Sequence, residues 1–143
     1  MKKMCTRAGA IVCLVIPILA GQQAKPRVDS AALIARGKYL VEGTAMCGDC
    51  HTPHNEKGEP IKERWLKGAA LGFKPKVPIP AWADMAVDIS GLPGWKRDAA
   101  IKFLMTGMDS SGAHARPPMP QYRFNLQDAT AIAAYLKSLA PTE

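Results

Sequence analysis

The sequence contains little cysteine, little histidine and no hydrophobic run long enough to cross a membrane. Its 143 residues include four cysteines and three histidines. The longest apolar stretch, "AGAIVCLVIPILAG" at residues 8–21, is about six residues short of the roughly 20 that a membrane-spanning helix needs. Nothing in the chain repeats, so a repeat architecture is excluded, and the length suits a single domain.

The first residues have the pattern of an export signal. Three basic residues precede the apolar stretch, namely Lys2, Lys3 and Arg7, and the polar sequence "QQAKPR" follows it. This pattern predicts a signal peptide over 1–20, a short linker over 21–30 and one domain over 31–140 in an exported, periplasmic protein. Ile18 or Leu19 occupies a position that prefers a small residue in cleaved signals. An uncleaved anchor that associates the protein with a membrane is therefore the alternative.

Removal of residues 1–20 changes the charge and the cysteine content. The formal net charge falls from +7 to +4, because three of the 19 basic residues are lost and all 12 acidic residues stay. Cys5 and Cys13 are also lost, which leaves Cys47 and Cys50. In an oxidising compartment such a pair forms a disulfide unless it is otherwise engaged. A loop this short removes little chain entropy, so a purely structural disulfide is disfavoured.

The remaining positive charge is concentrated at residues 57–76, which we call the basic segment. It holds six basic residues and two acidic ones: Lys57, Lys62, Arg64, Lys67, Lys74 and Lys76, with Glu59 and Glu63. One interpretation is a solvated loop. The other is a docking surface for an acidic partner protein, since clustered charge accelerates encounter. The modest net charge of an exported chain argues against nucleic acid as a partner.

Three helices are predicted from capping residues and periodicity. The first begins after Asp29 or Ser30, both of which are good N-caps, and ends at about Glu42 with Gly43 as its stop. The second covers roughly 97–106. The third begins at Asn125 and carries apolar side chains at i, i+3, i+4 and i+7 ahead of Pro141: Ile132, Tyr135, Leu136 and Leu139.

A long irregular region at 52–94 separates the first two helices. It holds six prolines and shows no sustained period, apart from a short helical stretch predicted near 65–70. Loops of this length are uncommon in a compact domain unless they serve a function. Wrapping a large apolar group would be such a function. We therefore expect an all-α domain whose long loops enclose a buried cofactor.

The stretch "AMCGDCHTPH" at residues 45–54 places two cysteines and a histidine in one cluster. A zinc site needs four ligands, and only His54 and His114 are left to complete it after signal removal. A thiol–disulfide oxidoreductase can carry C-x-x-C-H, but its motif follows a strand and opens a helix. Here a predicted helix precedes the motif and prolines follow it.

A covalently attached haem c gives each residue of this motif a role. The thiols of Cys47 and Cys50 add to the two vinyl groups of the porphyrin, and His51 lies under the iron as its proximal ligand. Small Gly48 and polar Asp49 fit a turn at the edge of the ring. With no other cysteine left in the exported chain, the motif predicts one haem.

The sixth ligand of the iron is predicted from the stretch "RPPMPQYRF" at residues 116–124. Prolines fix φ and lack an N–H group, so this loop is stiff and presents the thioether of Met119 at a defined position. Met85, Met105 and Met108 are interpreted as core residues. Met46 adjoins the attachment motif and cannot reach the opposite face of the haem. His114 is the rival ligand, and His54 is interpreted as a surface histidine.

Together these features resemble class I c-type cytochromes. The chain shows an N-terminal helix, "CGDCH", a distal "PPMP" and a closing helix "AIAAYLKSL". It is most similar to small bacterial monohaem cytochromes and to the cytochrome subunits that serve exported dehydrogenases, over residues 31–139. The resemblance implies a cytochrome c fold with about three main helices and long loops around one covalently bound haem, ligated by His51 and Met119.

The resemblance also implies particular contacts. In this family the first and last helices cross at a small residue and an aromatic one, which Gly37 and Tyr135 match. A proline carbonyl beyond the motif orients the proximal histidine, and Pro53 or Pro60 is expected to supply it. The candidate partners of the haem propionates are Trp65, Trp82, Trp95 and Arg123.

The function implied is one-electron transfer through the haem edge, with no catalysis of bond change, because both axial positions of the iron are filled. The expected partners are redox proteins: a donor dehydrogenase and an acceptor oxidase or another cytochrome. A cytochrome subunit of a membrane or periplasmic dehydrogenase complex is the first alternative. A thiol–disulfide oxidoreductase and a haem enzyme or gas sensor, in which Met119 does not bind the iron, are the others.

Overall fold

The computed structural model describes residues 30–139, so the predicted signal peptide, nearly all of the linker and Pro141 lie outside the described residues. The elements in chain order are α1 (Ser30–Tyr39), a π-helical turn (Leu40–Thr44), α2 (Gly48–His51), a 3₁₀ turn (Lys62–Arg64), β1 (Ala69–Ala70), β2 (Met85–Ala86), α3 (Arg97–Thr106) and α4 (Leu126–Ser138). Within this range no helix has the length and apolar character needed to span a bilayer.

The core forms where α1 crosses α4. Gly37 lies at the closest approach: a Cβ atom there would collide with the backbone of Ala131 and come within 2.7 Å of the Tyr135 Cβ. The crossing predicted from Gly37 and Tyr135 is therefore confirmed. Arg36 Nε, beside the crossing, donates to Asp128 Oδ1 at 3.0 Å. The C-terminal part of α4 and the π-helical turn supply most of the buried apolar side chains, with α3 packed against α4.

The predicted bounds of α3 and the predicted start of α4 are confirmed, because local signals fix them. Gly107 ends α3 in the left-handed conformation (φ 71°), and its N–H donates to Phe103 O. At the start of α4, Asn125 Oδ1 accepts the N–H of Asp128 at 2.8 Å. The last residue of α4 is Ser138.

The predicted end of the first helix is wrong in detail. The regular α-helix stops at Tyr39 and continues as a π-helical turn through Thr44, so Gly43 lies inside the helical segment and does not end it. In this wider turn the N–H of Ala45 donates to Leu40 O at 2.7 Å. The wider turn allows Leu40 and its neighbour Val41 both to be buried.

The region 52–94 also differs from the prediction. Its helical turn is a 3₁₀ turn at Lys62–Arg64, not a stretch near 65–70, because Ala69–Ala70 pairs antiparallel with Met85–Ala86. Gly68 permits this pairing: its φ is +83°, and a Cβ there would lie 2.9 Å from Ala86 O. The regular secondary structure of residues 30–139 is mostly helical with one short strand pair, and α2 brings the α-helices in this range to four where about three main ones were expected.

Candidate cofactor-binding site

The C-x-x-C-H motif forms one turn of helix. Cys47 precedes α2 with helical dihedral angles, and its carbonyl accepts the N–H of His51 at 2.9 Å. Cys47, Cys50 and His51 are thus presented from a single rigid turn. Gly48 is buried, and a Cβ there would run into the Trp65 ring. The absence of a side chain at Gly48 is therefore required by its contact with Trp65, which the sequence did not predict.

The two thiols lie in an environment that disfavours their thiolate form. Cys47 and Cys50 are both half-buried and free of disulfides. Burial raises the pKa of Cys47 to about 11, and burial followed by the charge of Asp49 raises the pKa of Cys50. Thiol–disulfide oxidoreductases depend on a thiolate with a lowered pKa. The electrostatics of this pair therefore do not suit that chemistry.

The imidazole of His51 is buried, oriented and neutral. Its Nδ1 lies 2.7 Å from the carbonyl oxygen of Val87 and, since a carbonyl only accepts, Nδ1 carries the proton. Burial lowers the pKa of the ring, which favours the neutral form. In that form Nε2 holds the unprotonated lone pair, as a metal ligand requires.

The expected proline carbonyl does not orient this histidine. Val87 O takes that role, and Pro53 O instead accepts the N–H of Ile61 at 2.9 Å. Pro60 is exposed and pairs with His54 in an isolated bridge. Directly after α2 the backbone of Thr52 is extended (φ −118°, ψ 132°), so the chain leaves the helical turn before it reaches either proline.

Thr52 begins a series of hydrogen bonds that joins the residue after His51 to Leu66 and then to Ile89. It is fully buried, and its Oγ1 accepts the N–H of Leu66 at 3.0 Å. Leu66 O in turn accepts the N–H of Ile89 at 3.0 Å, two residues after Val87. The sequence did not predict these roles of Thr52 and Val87. The position of Thr52 directly after His51 was a usable signal, whereas Val87, 36 residues from His51, had none.

The loop that carries Met119, residues 116–122, is called here the Met119 loop. Its first residues are tied to backbone at 81–83: Arg116 donates to Ala81 O at 2.9 Å and to Trp82 O at 2.7 Å, and Pro117 O accepts the N–H of Ala83 at 2.7 Å. Its last residue, Tyr122, donates its hydroxyl to Ala45 O at 2.7 Å. The loop therefore runs from 81–83 to the backbone just before the motif.

Burial and hydrogen bonding distinguish the candidate iron ligands from one another and the candidate propionate partners from one another. Met119 is half-buried, whereas His114 and His54 are exposed. Trp65 Nε1 donates to the Tyr135 hydroxyl at 3.2 Å, and Arg123 donates to Gln121 O and Tyr122 O. Trp82 Nε1 differs: it is buried and finds no acceptor among the described residues. A buried indole N–H without an acceptor fits a bound group that supplies one.

Comparison with known proteins gives a consistent result. The cytochrome c family model matches residues 34–140. The fructose dehydrogenase cytochrome subunit of Gluconobacter japonicus is 33% identical over 112 residues, which are 73% of this chain and 21% of that protein. A diheme cytochrome c-type protein of Cereibacter sphaeroides is 35% identical over 124 residues, 80% of this chain and 38% of that protein. The gluconate 2-dehydrogenase cytochrome c subunit of Pantoea cypripedii is 33% identical over 129 residues, 80% of this chain and 28% of that protein. The chain thus spans less than two fifths of the length of each relative.

Proposed function

Because the chain belongs to the cytochrome c family of haem-binding electron-transfer proteins, we propose that it is an exported, periplasmic carrier of single electrons with one haem c. The haem is attached through Cys47 and Cys50, and His51 and Met119 are its axial ligands. The observation that carries this proposal is the turn of α2, where two free thiols accompany a buried imidazole whose Nδ1–H donates to Val87 O.

When bound, the haem supplies a ferric–ferrous couple. The chain's own residues set the conditions for it. The carbonyl of Val87 fixes the plane and tautomer of the His51 ring and increases the basicity of Nε2. Burial of His51 and a thioether ligand from Met119 both favour the less charged ferrous state.

Met119 is supported as the distal ligand by its surroundings. The prolines on both sides of it restrict the backbone, and the Met119 loop is bonded to 81–83 at one end and to Ala45 at the other. The exposed position of His114 makes the rival assignment less favourable. Four residues are candidate hydrogen-bond partners of the haem propionates. Of these, Trp82 is the one whose buried indole N–H has no acceptor among the described residues.

Partner recognition is proposed to involve the basic segment. The described residues hold 14 basic and 10 acidic side chains, and the basic segment accounts for the whole excess, since eight of each sign lie outside it. Five of the six basic residues of the segment are exposed, and the sixth, Lys67, is half-buried. An acidic surface on a donor or acceptor protein is the matching partner.

A second candidate function is that of a cytochrome subunit or domain in a dehydrogenase complex. It rests on the similarity to two relatives, the fructose dehydrogenase cytochrome subunit and the gluconate 2-dehydrogenase cytochrome c subunit. In that case the chain receives its electrons from a bound dehydrogenase. The native mass of the chain, purified from its own cells, separates a free carrier from a subunit.

The test of the main proposal is a visible spectrum of the full chain, produced in a host that matures c-type cytochromes. We expect haem that stays attached after denaturation in pyridine, sharp reduced bands and a weak sulfur-to-iron band in the ferric protein. Cys47→Ser should impair stable attachment. Met119→Ala should retain the haem and lose the sulfur band, and His114→Ala, the matched control, should keep it.

Three results would contradict the proposal in different ways. A colourless protein with a reducible Cys47–Cys50 disulfide would overturn haem binding. A Met119→Ala variant with an unchanged ferric spectrum would overturn the distal assignment alone. Ready binding of carbon monoxide by the ferrous wild-type protein at neutral pH would indicate an open iron and a sensor or enzyme.

A further inference from the structure

We propose that Tyr122 is the positioning residue for Met119: its hydroxyl fastens the far end of the Met119 loop to the backbone that leads into the C-x-x-C-H motif. The inference rests on the proposed function, in which Met119 binds the iron. It assigns to Tyr122 a role that neither the motif nor the spacing indicated.

The two ends of the Met119 loop are held differently. The first end has three hydrogen bonds to 81–83: Arg116 donates two of them, and Pro117 O accepts the third. In the second end, Pro118 and Pro120 have no N–H, and the N–H of Met119 is used within the loop, on Arg116 O at 3.0 Å. For residues 118–123, the described structure shows one hydrogen bond to another part of the chain, the one from Tyr122 to Ala45.

The acceptor of this bond is a fixed point. The N–H of Ala45 donates to Leu40 O at 2.7 Å, and the N–H of Cys47 donates to Val41 O at 3.0 Å, so the backbone on both sides of the acceptor is anchored to the π-helical turn. Leu40 and Val41 are themselves buried in the core. Because Ala45 is two residues before Cys47, the bond sets the Met119 loop relative to the attachment motif.

The donor is equally well defined. The Tyr122 ring stacks on Phe124 with centroids 5.1 Å apart, and the N–H of Phe124 donates to Leu104 O at 3.2 Å. Burial raises the pKa of Tyr122 to about 12, with smaller contributions from the charges of Cys47, Cys50 and Asp49. Once haem is attached the thiols are neutral thioethers, but burial remains, so the hydroxyl is still a donor at neutral pH.

If Tyr122 holds the Met119 loop in place, it affects how well an external ligand competes with Met119 for the iron, and this competition can be measured. An external ligand such as imidazole reaches the ferric iron only when Met119 leaves it, so its apparent affinity reports how firmly the Met119 loop is held. Tyr122→Phe removes the hydroxyl and keeps the ring that stacks on Phe124. One neutral hydrogen bond corresponds to a change of roughly 2- to 10-fold in an equilibrium constant.

The experiment is an imidazole titration of the matured ferric protein at pH 7, followed by the loss of the sulfur-to-iron band. We expect Tyr122→Phe to bind imidazole roughly 2- to 10-fold more tightly than the wild type. Tyr135→Phe is the matched control. Its hydroxyl accepts from Trp65 Nε1 and donates to Glu42 at 3.1 Å, and neither partner belongs to the Met119 loop, so we expect its loss to lower the melting temperature without changing imidazole affinity.

The outcomes distinguish this inference from the function on which it rests. Equal imidazole affinities for Tyr122→Phe and the wild type, with the sulfur band present in both, would overturn the role of Tyr122 and leave Met119 ligation intact. Equal tightening in Tyr122→Phe and Tyr135→Phe would also overturn it, because the effect would then reflect global stability. A wild-type protein without the sulfur band would overturn Met119 ligation and this inference together.

Discussion

At the level of single residues, one buried hydroxyl group holds together the loops that follow His51. Thr52 Oγ1 accepts the N–H of Leu66, and both residues are fully buried. Thr52→Val keeps the shape of the side chain but leaves that N–H without an acceptor, at a cost of about 1–3 kcal/mol. We expect the free energy of unfolding of the matured protein to fall by that amount in guanidinium titrations.

Thr52→Ser is the control for this prediction. It keeps the acceptor and loses one methyl group, so most of the stability should be retained. If Thr52→Val and Thr52→Ser were equally destabilised, the loss would come from packing of the methyl group and not from the hydrogen bond to Leu66.

At the level of elements, the crossing of α1 and α4 is a test of close packing. A methyl group at Gly37 would meet the backbone of Ala131, which no change of rotamer can relieve. Gly37→Ala should therefore lower the free energy of unfolding by about 3 kcal/mol. Denaturant unfolding followed by circular dichroism measures this, and the covalent haem keeps the variant visible even when it is partly unfolded.

Gly43→Ala is the matched control for Gly37→Ala. A Cβ at Gly43 would lie 3.7 Å from the ring of Tyr39, which is an ordinary contact. The control should stay close to the wild type in stability. Equal losses in the two variants would indicate that glycine at these positions matters for the backbone of the helical segment and not for the crossing.

The ion pair between α1 and α4 gives a prediction for how folding stability depends on pH. The Arg36 guanidinium, through its hydrogen bond to the carboxylate, lowers the pKa of Asp128 below its ordinary value of 3.8, and Asn125 adds to this shift. The folded state therefore binds this proton less readily than the unfolded chain. The stabilisation is fully present above the ordinary pKa and is lost as the pH falls through the lowered value in the folded state.

Asp128→Asn should thus reduce the melting temperature at pH 7, and the difference from the wild type should shrink as the pH falls below 3.8. Arg36→Gln should show the same trend, and the double variant should lose little more than either single one. A difference that stays constant through this acid range would show that the ion pair does not contribute, as is common for exposed pairs.

At the level of the whole molecule, local and distant features differ in how far the sequence predicts them. The end of α3 and the start of α4 follow from Gly107 and Asn125, because caps act on their own helix. The Gly37–Tyr135 crossing came from the family resemblance and agreed with the periodicity. The bond from His51 to Val87 joins the motif to an aperiodic, proline-containing region, so no spacing could indicate it. The same holds for Tyr122 and Ala45, 77 residues apart.

The distribution of charge over the molecule gives the last prediction. Phe73 packs edge-on against Trp82, the tryptophan proposed to bind a propionate, with ring centroids 5.9 Å apart. Exposed Lys74 and Lys76 follow one and three residues after Phe73 in the sequence. Positive charge near the haem edge should attract anionic oxidants and repel cationic ones. Oxidation of the ferrous protein by hexacyanoferrate should slow several-fold as ionic strength rises from about 10 to about 200 mM, and oxidation by a tripositive cobalt complex should accelerate.

The variant Lys74→Glu/Lys76→Glu locates the effect. It should slow the reaction with hexacyanoferrate more than Lys96→Glu/Lys102→Glu, which makes the same change of charge at exposed positions outside the basic segment. Long-range net charge acts on both variants alike, whereas a docking surface responds to where the charge lies. Equal rates in the two variants would mean that net charge alone governs encounter, and the basic segment would then be a solvated loop.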